Sequence, residues 1–570
     1  MGSEQNKTRY WNLGSALVMT LLVAAAAWLC GGFYYDLNDD VLIKDILSGV
    51  YTGHPEGHTM QILYPLGWVL SLLYYIPGIP VFGLFLCLCQ FGCVFVLSYR
   101  TLQCLDGAMK KLLALAVWGM FWVAGCLEHL VFVQYTVTAG MLCTAAVFWL
   151  VTSGKEQTVT GFLKENLWAL ILYWIGFCLR SEMGLLLLPL AGVTGLCKWF
   201  SEEHPLKKEQ VQRYLGLFGA LAAGMLLCLG AEKLAYSSTD WKVFSRYFDA
   251  RTTIYDYQHD VVENYEENAE IYELLGMSQI RQQLLKNYNF GADDNIDAEF
   301  LEELAVQAKQ RENGGLFRKD LRTAAWELVW GHFLSRSDMC LNLVMILAGV
   351  LLFVAGVFER KRHGMWQTVL FVGCSCGLWM FLLLRGRMPV RLTTPLYLTL
   401  TAALFGLLLM RRRFLAVAAL GTVVCSVLVM PAGIANVTEQ VKERGQINQV
   451  NEAVMEYCIE HPEQLFLEDV YSTVAFSEKM GVDRNKPVNY DLLGGWLVKS
   501  PLTEEKLQLF GLESMGSAVC GKEPVRILTD AESNLDWLTA FLEEQGIVVK
   551  AVQTERIADG AVDVYQIILE

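Results

Sequence analysis

The chain has 570 residues, 54% of them hydrophobic, with a mean hydropathy of +0.35 and a formal net charge of −14. That apolar fraction, gathered in runs near the ~20 residues that cross a bilayer, excludes an ordinary soluble protein. The acidity is local: residues 236–340 carry about −8 and 431–570 about −13, leaving about +7 elsewhere, so neither soluble segment has the basic face that nucleic acid requires.

Taken in chain order, the apolar runs predict about eleven membrane spans, at 13–33, 80–99, 112–127, 130–151, 166–179, 183–199, 214–235, 341–358, 365–384, 393–410 and 414–432. Lys7 and Arg9 precede the first run, and the bulky Trp28-Leu29 before Cys30 favours an uncleaved anchor over a signal peptide. With a cytoplasmic N-terminus, the inside loops hold Arg100, Lys110 and Lys111; Lys155 and Lys164; Lys198, Lys207, Lys208 and Arg213; Arg360, Lys361 and Arg362; and Arg411, Arg412 and Arg413. Every inside loop then satisfies the positive-inside rule. The apolar stretch 60–76 is interrupted by Pro65 and followed by Pro77, Gly78 and Pro80, so it is expected at the interface or as a re-entrant helix rather than as a crossing.

The fold expected is therefore mainly α: a polytopic helical bundle with two extracytoplasmic additions. Residues 1–235 form an N-terminal transmembrane module with a first outer loop at 34–79, and 341–432 form a second module. Between them, 236–340 reads as a helical cap, with 3.6-residue periodicity at 270–274 and 278–288, a turn at 289–291 and a long run over 297–311. The tail 433–570 mixes helices (446–460, 503–510, 533–545) with strand-like runs (464–470, 525–528, 547–552, 562–569), which predicts a small α/β domain. Most of the 16 cysteines lie inside apolar runs and read as small hydrophobes; Cys458 and Cys520 lie outside them, but no spacing makes a disulfide framework.

The residues that could carry chemistry gather at one face. Asp36, Asn38, Asp39 and Asp40 follow the first span directly, with Lys44, His54, Glu56 and His58 close behind. A carboxylate at mid-bilayer costs roughly 3 kcal/mol, so acids crowded at a boundary are either solvated loop or working groups. Glu128 and His129, then Arg180, Ser181 and Glu182, interrupt apolar runs at the same face, where mutual salt bridging is the plain alternative to function. The R-G-R-M-P-V-R turn places Arg385, Arg387 and Arg391 outside, against the positive-inside preference, and guanidinium forks match phosphate oxygens. His54 and His58 are four apart and could join Asp39 or Asp40 around a divalent cation, but the glycine and proline beside them break the helical face that would align them. Gly494-Gly495-Trp496 reads as a packed turn, with sugar stacking on the indole as the sharper alternative.

Acids directly after the first span (Asn38-Asp39-Asp40), the interfacial Y-P-L-G-W at 64–68, paired short spans with polar outer turns and an outer C-terminal domain together resemble the C-type glycosyltransferase superfamily. The resemblance covers residues 10–432 by layout and looks toward the bacterial transferases that use polyprenyl-phosphate-linked sugars. It implies inverting sugar transfer to a cell-envelope glycan, lipid or protein, with Asp39 or Asp40 as the base and Arg385, Arg387, Arg391 and Arg180 meeting the leaving phosphate. The W-W-D-x-D signature of oligosaccharyltransferases and a clear Asp-Glu pair are missing, so neither peptide glycosylation nor a metal requirement is implied. Two other readings compete: a transporter of lipid-linked glycan or polysaccharide, in which the charges line a pathway, and a non-enzymatic membrane scaffold, in which they face separate directions.

Overall fold

The computed structural model describes residues 2–154, 158–311, 319–333, 339–359, 363–386, 388–473, 478–481 and 488–570. The chain is mainly helical. Among the described residues, nine helices are long and apolar enough to cross a membrane: Asn6–Leu29, Val81–Cys104, Ala108–Val131, Tyr135–Thr152, Lys208–Ala235, Met339–Val357, His363–Leu384, Val390–Arg411 and Leu415–Glu460. A tenth span is made if Val159–Glu165 and Leu167–Leu179, bent by 56° at Asn166, count as one. The eleventh expected run is the helix Ser181–Trp199, whose apolarity is diluted by Glu182 in its first turn and Lys198 in its last. The helix Tyr64–Leu73 has 10 residues, about 15 Å of rise against a hydrocarbon core of ~30 Å, so it does not cross by itself.

The bundle is organised around two helices, Tyr135–Thr152 and Val390–Arg411, which are buried along nearly their whole length. Small residues let them close on one another. A Cβ on Gly140 would lie 2.3 Å from Cβ of Pro395, and one turn on Thr144 and Thr399 share a hydroxyl hydrogen bond of 2.7 Å. The helices Lys208–Ala235 and Leu415–Glu460, with Leu226, Leu227, Leu420 and Leu428 exposed, lie at the periphery. Basic loops collect at one end. There Arg100 donates to the carbonyl of Thr152, Lys198 to those of Leu150 and Ser153, and Arg412 pairs with Asp106.

At the other end the cap and the C-terminal domain assemble. Strand β1 (Tyr34–Tyr35) pairs in parallel with β2 (Phe132–Val133), so the chain leaving the first span is held beside the junction of two others. The cap comprises Thr239–Tyr257, Asp260–Glu263, Ala269–Leu274, Gln279–Lys286 and Ala298–Arg311, followed by Leu321–Trp326 and a π-helical segment Glu327–Phe333. The C-terminal domain is a five-stranded mixed sheet of order β4-β3-β5-β7-β6, with β3 Leu465–Glu468, β4 Tyr490–Leu492, β5 Val525–Asp530, β6 Val549–Ile557 and β7 Val562–Leu569. The division expected at residue 433 is not a break in the chain. The last span continues through Pro431 as a single helix of 46 residues to Glu460, which carries it directly into the C-terminal domain.

Candidate functional site

The acidic cluster after the first span is divided by local geometry. Leu37 is extended and starts the helix Asn38–Ser48, which places Asp40 at its third position. One Asp40 oxygen accepts from the amide of Leu37 (3.3 Å) and the other from the amide of Tyr135 (2.9 Å). Asp40 is fully buried. Burial pushes its carboxyl well above the usual carboxylate range, and the nearby Asp36 and Asp39 add to this against the pull of the two amides. Asp40 therefore caps one helix and fixes the start of another. Asp39, one residue earlier, points elsewhere: its Oδ1 accepts from the indole Nε1 of Trp496 at 3.0 Å and it borders a cavity of about 90 Å³ shared with Tyr51, Asp491, Trp496 and Lys506.

Tyr135 and Arg180 share one partner. The Tyr135 hydroxyl donates to Gln61 Oε1 at 3.0 Å, and Arg180 donates to the same oxygen. The Arg180 guanidinium lies 5.5 Å over the Tyr135 ring and pairs with Glu182 at 3.1 Å. Arg180, Asp39, Asp40 and Arg391 are all close enough for their charges to act on the Tyr135 hydroxyl, and Asp39, Glu182 and Asp256 act in turn on Arg180. Arg180 reaches this place because the chain is extended between the helices Leu167–Leu179 and Ser181–Trp199. Arg391 sits in the first turn of Val390–Arg411, behind the N-cap Pro389, and makes no hydrogen bond or ion pair with the described residues. A cation at the positive end of a helix dipole leaves a strongly anion-attracting field.

Arg385 stacks on Tyr257 of the cap, 4.2 Å from guanidinium to ring centre, while the adjacent Asp256 acts on Arg180. Consecutive cap residues thus bring Arg385 and Arg180 to the same end of the helix Thr239–Tyr257. Arg387 lies outside the described residues.

The other candidates are occupied in joining parts of the molecule. Asp36 pairs with Arg444 of the long final helix at 2.8 Å, and Arg444 stacks 3.9 Å over Phe132. Lys44 is buried between Asp45 (2.8 Å) and Glu478 (2.9 Å). His54 meets Glu505 at 3.6 Å in an exposed pair, whereas His58 bonds Glu56 at 2.7 Å and packs among Tyr64, Tyr236 and Trp241. The two histidines face different partners, and no group of His, Cys, Asp or Glu is placed to hold a metal among the described residues. Burial alone would raise the Glu56 carboxyl, but the bond and charge of His58 and the amides of Gly57 and His58 hold it below its ordinary value. His129 bonds Thr394 Oγ1 at 3.0 Å, and Glu128 accepts from Asn436 at 3.2 Å.

Sequence reading missed Gln61 and Tyr135, and it marked Trp496 as part of a turn without its bond to Asp39. Tyr135 begins a span and looks like any interfacial aromatic. Gly494-Gly495 carries more signal than a simple turn: a Cβ on Gly494 would lie 1.5 Å from the carbonyl oxygen of Tyr288 in the cap, and Gly495 has φ +103°. Only glycines let this turn press on the cap and deliver Trp496 to Asp39. Comparison with family models, curated proteins and solved structures returns no match for the chain.

Proposed function

We propose that the protein is a membrane glycosyltransferase that moves a sugar, with inversion, from a polyprenyl-phosphate donor to an extracytoplasmic acceptor. Asp39 takes the proton of an acceptor hydroxyl as that oxygen attacks the anomeric carbon. The bond from that carbon to the phosphate oxygen breaks, and its electron pair leaves on polyprenyl phosphate, where Arg391, Arg180 and Arg385 meet the charge. Asp40 holds the helix that carries Asp39 rather than touching substrate. The cavity that Asp39 shares with Trp496 and Lys506 gives the acceptor an approach from the side of the C-terminal domain.

The observation that carries this reading is that Arg180 shares the Gln61 oxygen with the Tyr135 hydroxyl while Asp39 and Arg391 lie within electrostatic reach of that hydroxyl, at the end of the bundle opposite the basic loops. A base and two phosphate-matching cations within electrostatic reach of one group suit a displacement at a phosphate-linked carbon, whereas a scaffold has no need to gather them. The test is turnover in nanodiscs of polyprenyl-phosphate-linked hexoses and pentoses, read as release of polyprenyl phosphate, with binding of polyprenyl phosphate followed alongside. Arg391→Ala should weaken that binding. If no donor is consumed and polyprenyl phosphate binds the wild type and Arg391→Ala alike, the reading fails.

A further inference from the structure

An apolar cavity within the bundle lies at the end opposite Asp39 and Arg391. It has a volume of about 510 Å³, its deep wall is aromatic (Trp118, Phe121, Phe148 and Phe405), and Lys110 and Arg412 stand at its mouth. From Lys110 to Phe121 the helix Ala108–Val131 rises about 16 Å, close to the ~15 Å depth of one leaflet's hydrocarbon. Lys110 has no partner among the described residues, and Arg412 holds only the exposed Asp106, a surface pair that competes weakly with a phosphate.

We propose that this cavity binds one anionic phospholipid of the inner leaflet, an acyl chain filling the aromatic pocket and the phosphate lying between Lys110 and Arg412. Depth fits the chain and charge fits the headgroup. The site is separate from the candidate transferase site, so the two stand or fall independently. Thr401 discriminates between occupants. Its hydroxyl lines the cavity, is 1% exposed and has no hydrogen-bond partner among the described residues, whereas Thr101 and Thr422 bond carbonyls of their own helices. An acyl chain offers Thr401 no acceptor; a ligand with a polar tip would.

The experiment purifies the full chain from mixed micelles of phosphatidylglycerol and phosphatidylcholine, then counts retained lipid by extraction and mass spectrometry. The wild type is expected to retain about one phosphatidylglycerol per chain. Ala114→Trp and Val117→Trp, which fill the cavity from its wall, should lose it at an unchanged unfolding temperature. Lys110→Gln with Arg412→Gln should lower the preference for phosphatidylglycerol about thirtyfold, at roughly fivefold per basic side chain. Thr401→Val should retain the lipid. Retention unaffected by either tryptophan, equal retention of both lipids by the wild type, or loss on Thr401→Val would each overturn the assignment.

Discussion

Replacing Asp39 by asparagine removes a base while leaving the local geometry a means of surviving. Asn Oδ1 still accepts the Trp496 indole that Asp39 accepts at 3.0 Å; exchanging a charged for a neutral acceptor costs about 1 kcal/mol of stability. General base catalysis contributes roughly 10²–10⁴ in rate, so transfer by Asp39→Asn should fall by about that factor, ~3–5 kcal/mol in barrier. Asp40→Asn should behave in the opposite way. Both Asp40 oxygens accept backbone amides in a fully buried place. An asparagine NH2 cannot accept, so one donor is stranded at a cost of about 1–3 kcal/mol. The assay is donor turnover per folded protein in nanodiscs, with unfolding temperature measured in parallel. The expected pattern is Asp39→Asn folded and nearly inactive, and Asp40→Asn less stable but active in its folded fraction. Activity of Asp39→Asn within tenfold of wild type would refute Asp39 as the base, and loss of turnover confined to Asp40→Asn would reverse the two roles.

Four further outcomes are expected. Trp496→Phe keeps the ring but removes the indole donor to Asp39, so turnover should fall about tenfold or more with the fold intact, since a bond to a charged group is worth ~1.5–3 kcal/mol; unchanged turnover would show that the C-terminal domain does not hold Asp39. Arg385→Ala and Arg391→Ala should each weaken polyprenyl-phosphate binding about 10- to 100-fold, measured by titration, at ~1.5–3 kcal/mol per charge-assisted contact. Lys499 of the C-terminal domain donates to the carbonyls of Asp293 and Ile296 in the cap, and burial lowers its ammonium to about 8 against the opposing charges of Asp294, Asp293 and Asp297. The unfolded chain then holds more protons than the folded one from about pH 8 up to its ordinary value of 10.5, so thermal stability should rise with pH across that window, and Lys499→Met should flatten the rise. Cys178 and Cys228 bring their sulfurs within 3.4 Å on neighbouring helices, so treatment with a small-molecule disulfide should join them, seen as one cross-linked peptide pair by mass spectrometry; failure to cross-link would contradict this helix packing.

The elements were largely legible in the residues because their signals are local. Each of the eleven apolar runs contains a helix, and the alternation in the tail places β3, β5, β6 and β7 close to the expected residues. Two differences arise where tertiary structure overrides local cues. The apolar run ends at 432, yet the helix passes through Pro431 to Glu460, with Val437, Asn448, Val454 and Cys458 buried beyond it. Ser181–Trp199 reads as an ordinary span, but the charges at its ends serve Arg180 and the carbonyls of Leu150 and Ser153.

For the site, the sequence by itself determined which residue types stand at the ends of the apolar runs: acids after the first, and arginines at 180, 385, 387 and 391. Insertion cost alone marks them, since each is expensive near hydrocarbon. Only the tertiary structure decided what each one does. Asp39 and Asp40 are adjacent and chemically identical, and the helical turn between them sends one carboxylate to backbone amides and the other to Trp496. Asp36, Lys44, His54 and His58 were marked as further candidates, yet each also meets a distant group, Arg444, Glu478, Glu505 and Trp241 in turn, from parts of the chain that no local pattern connects to them. Side-chain identity is fixed residue by residue, whereas the field and the partners around a charge are set by which distant segments the folded chain packs against it.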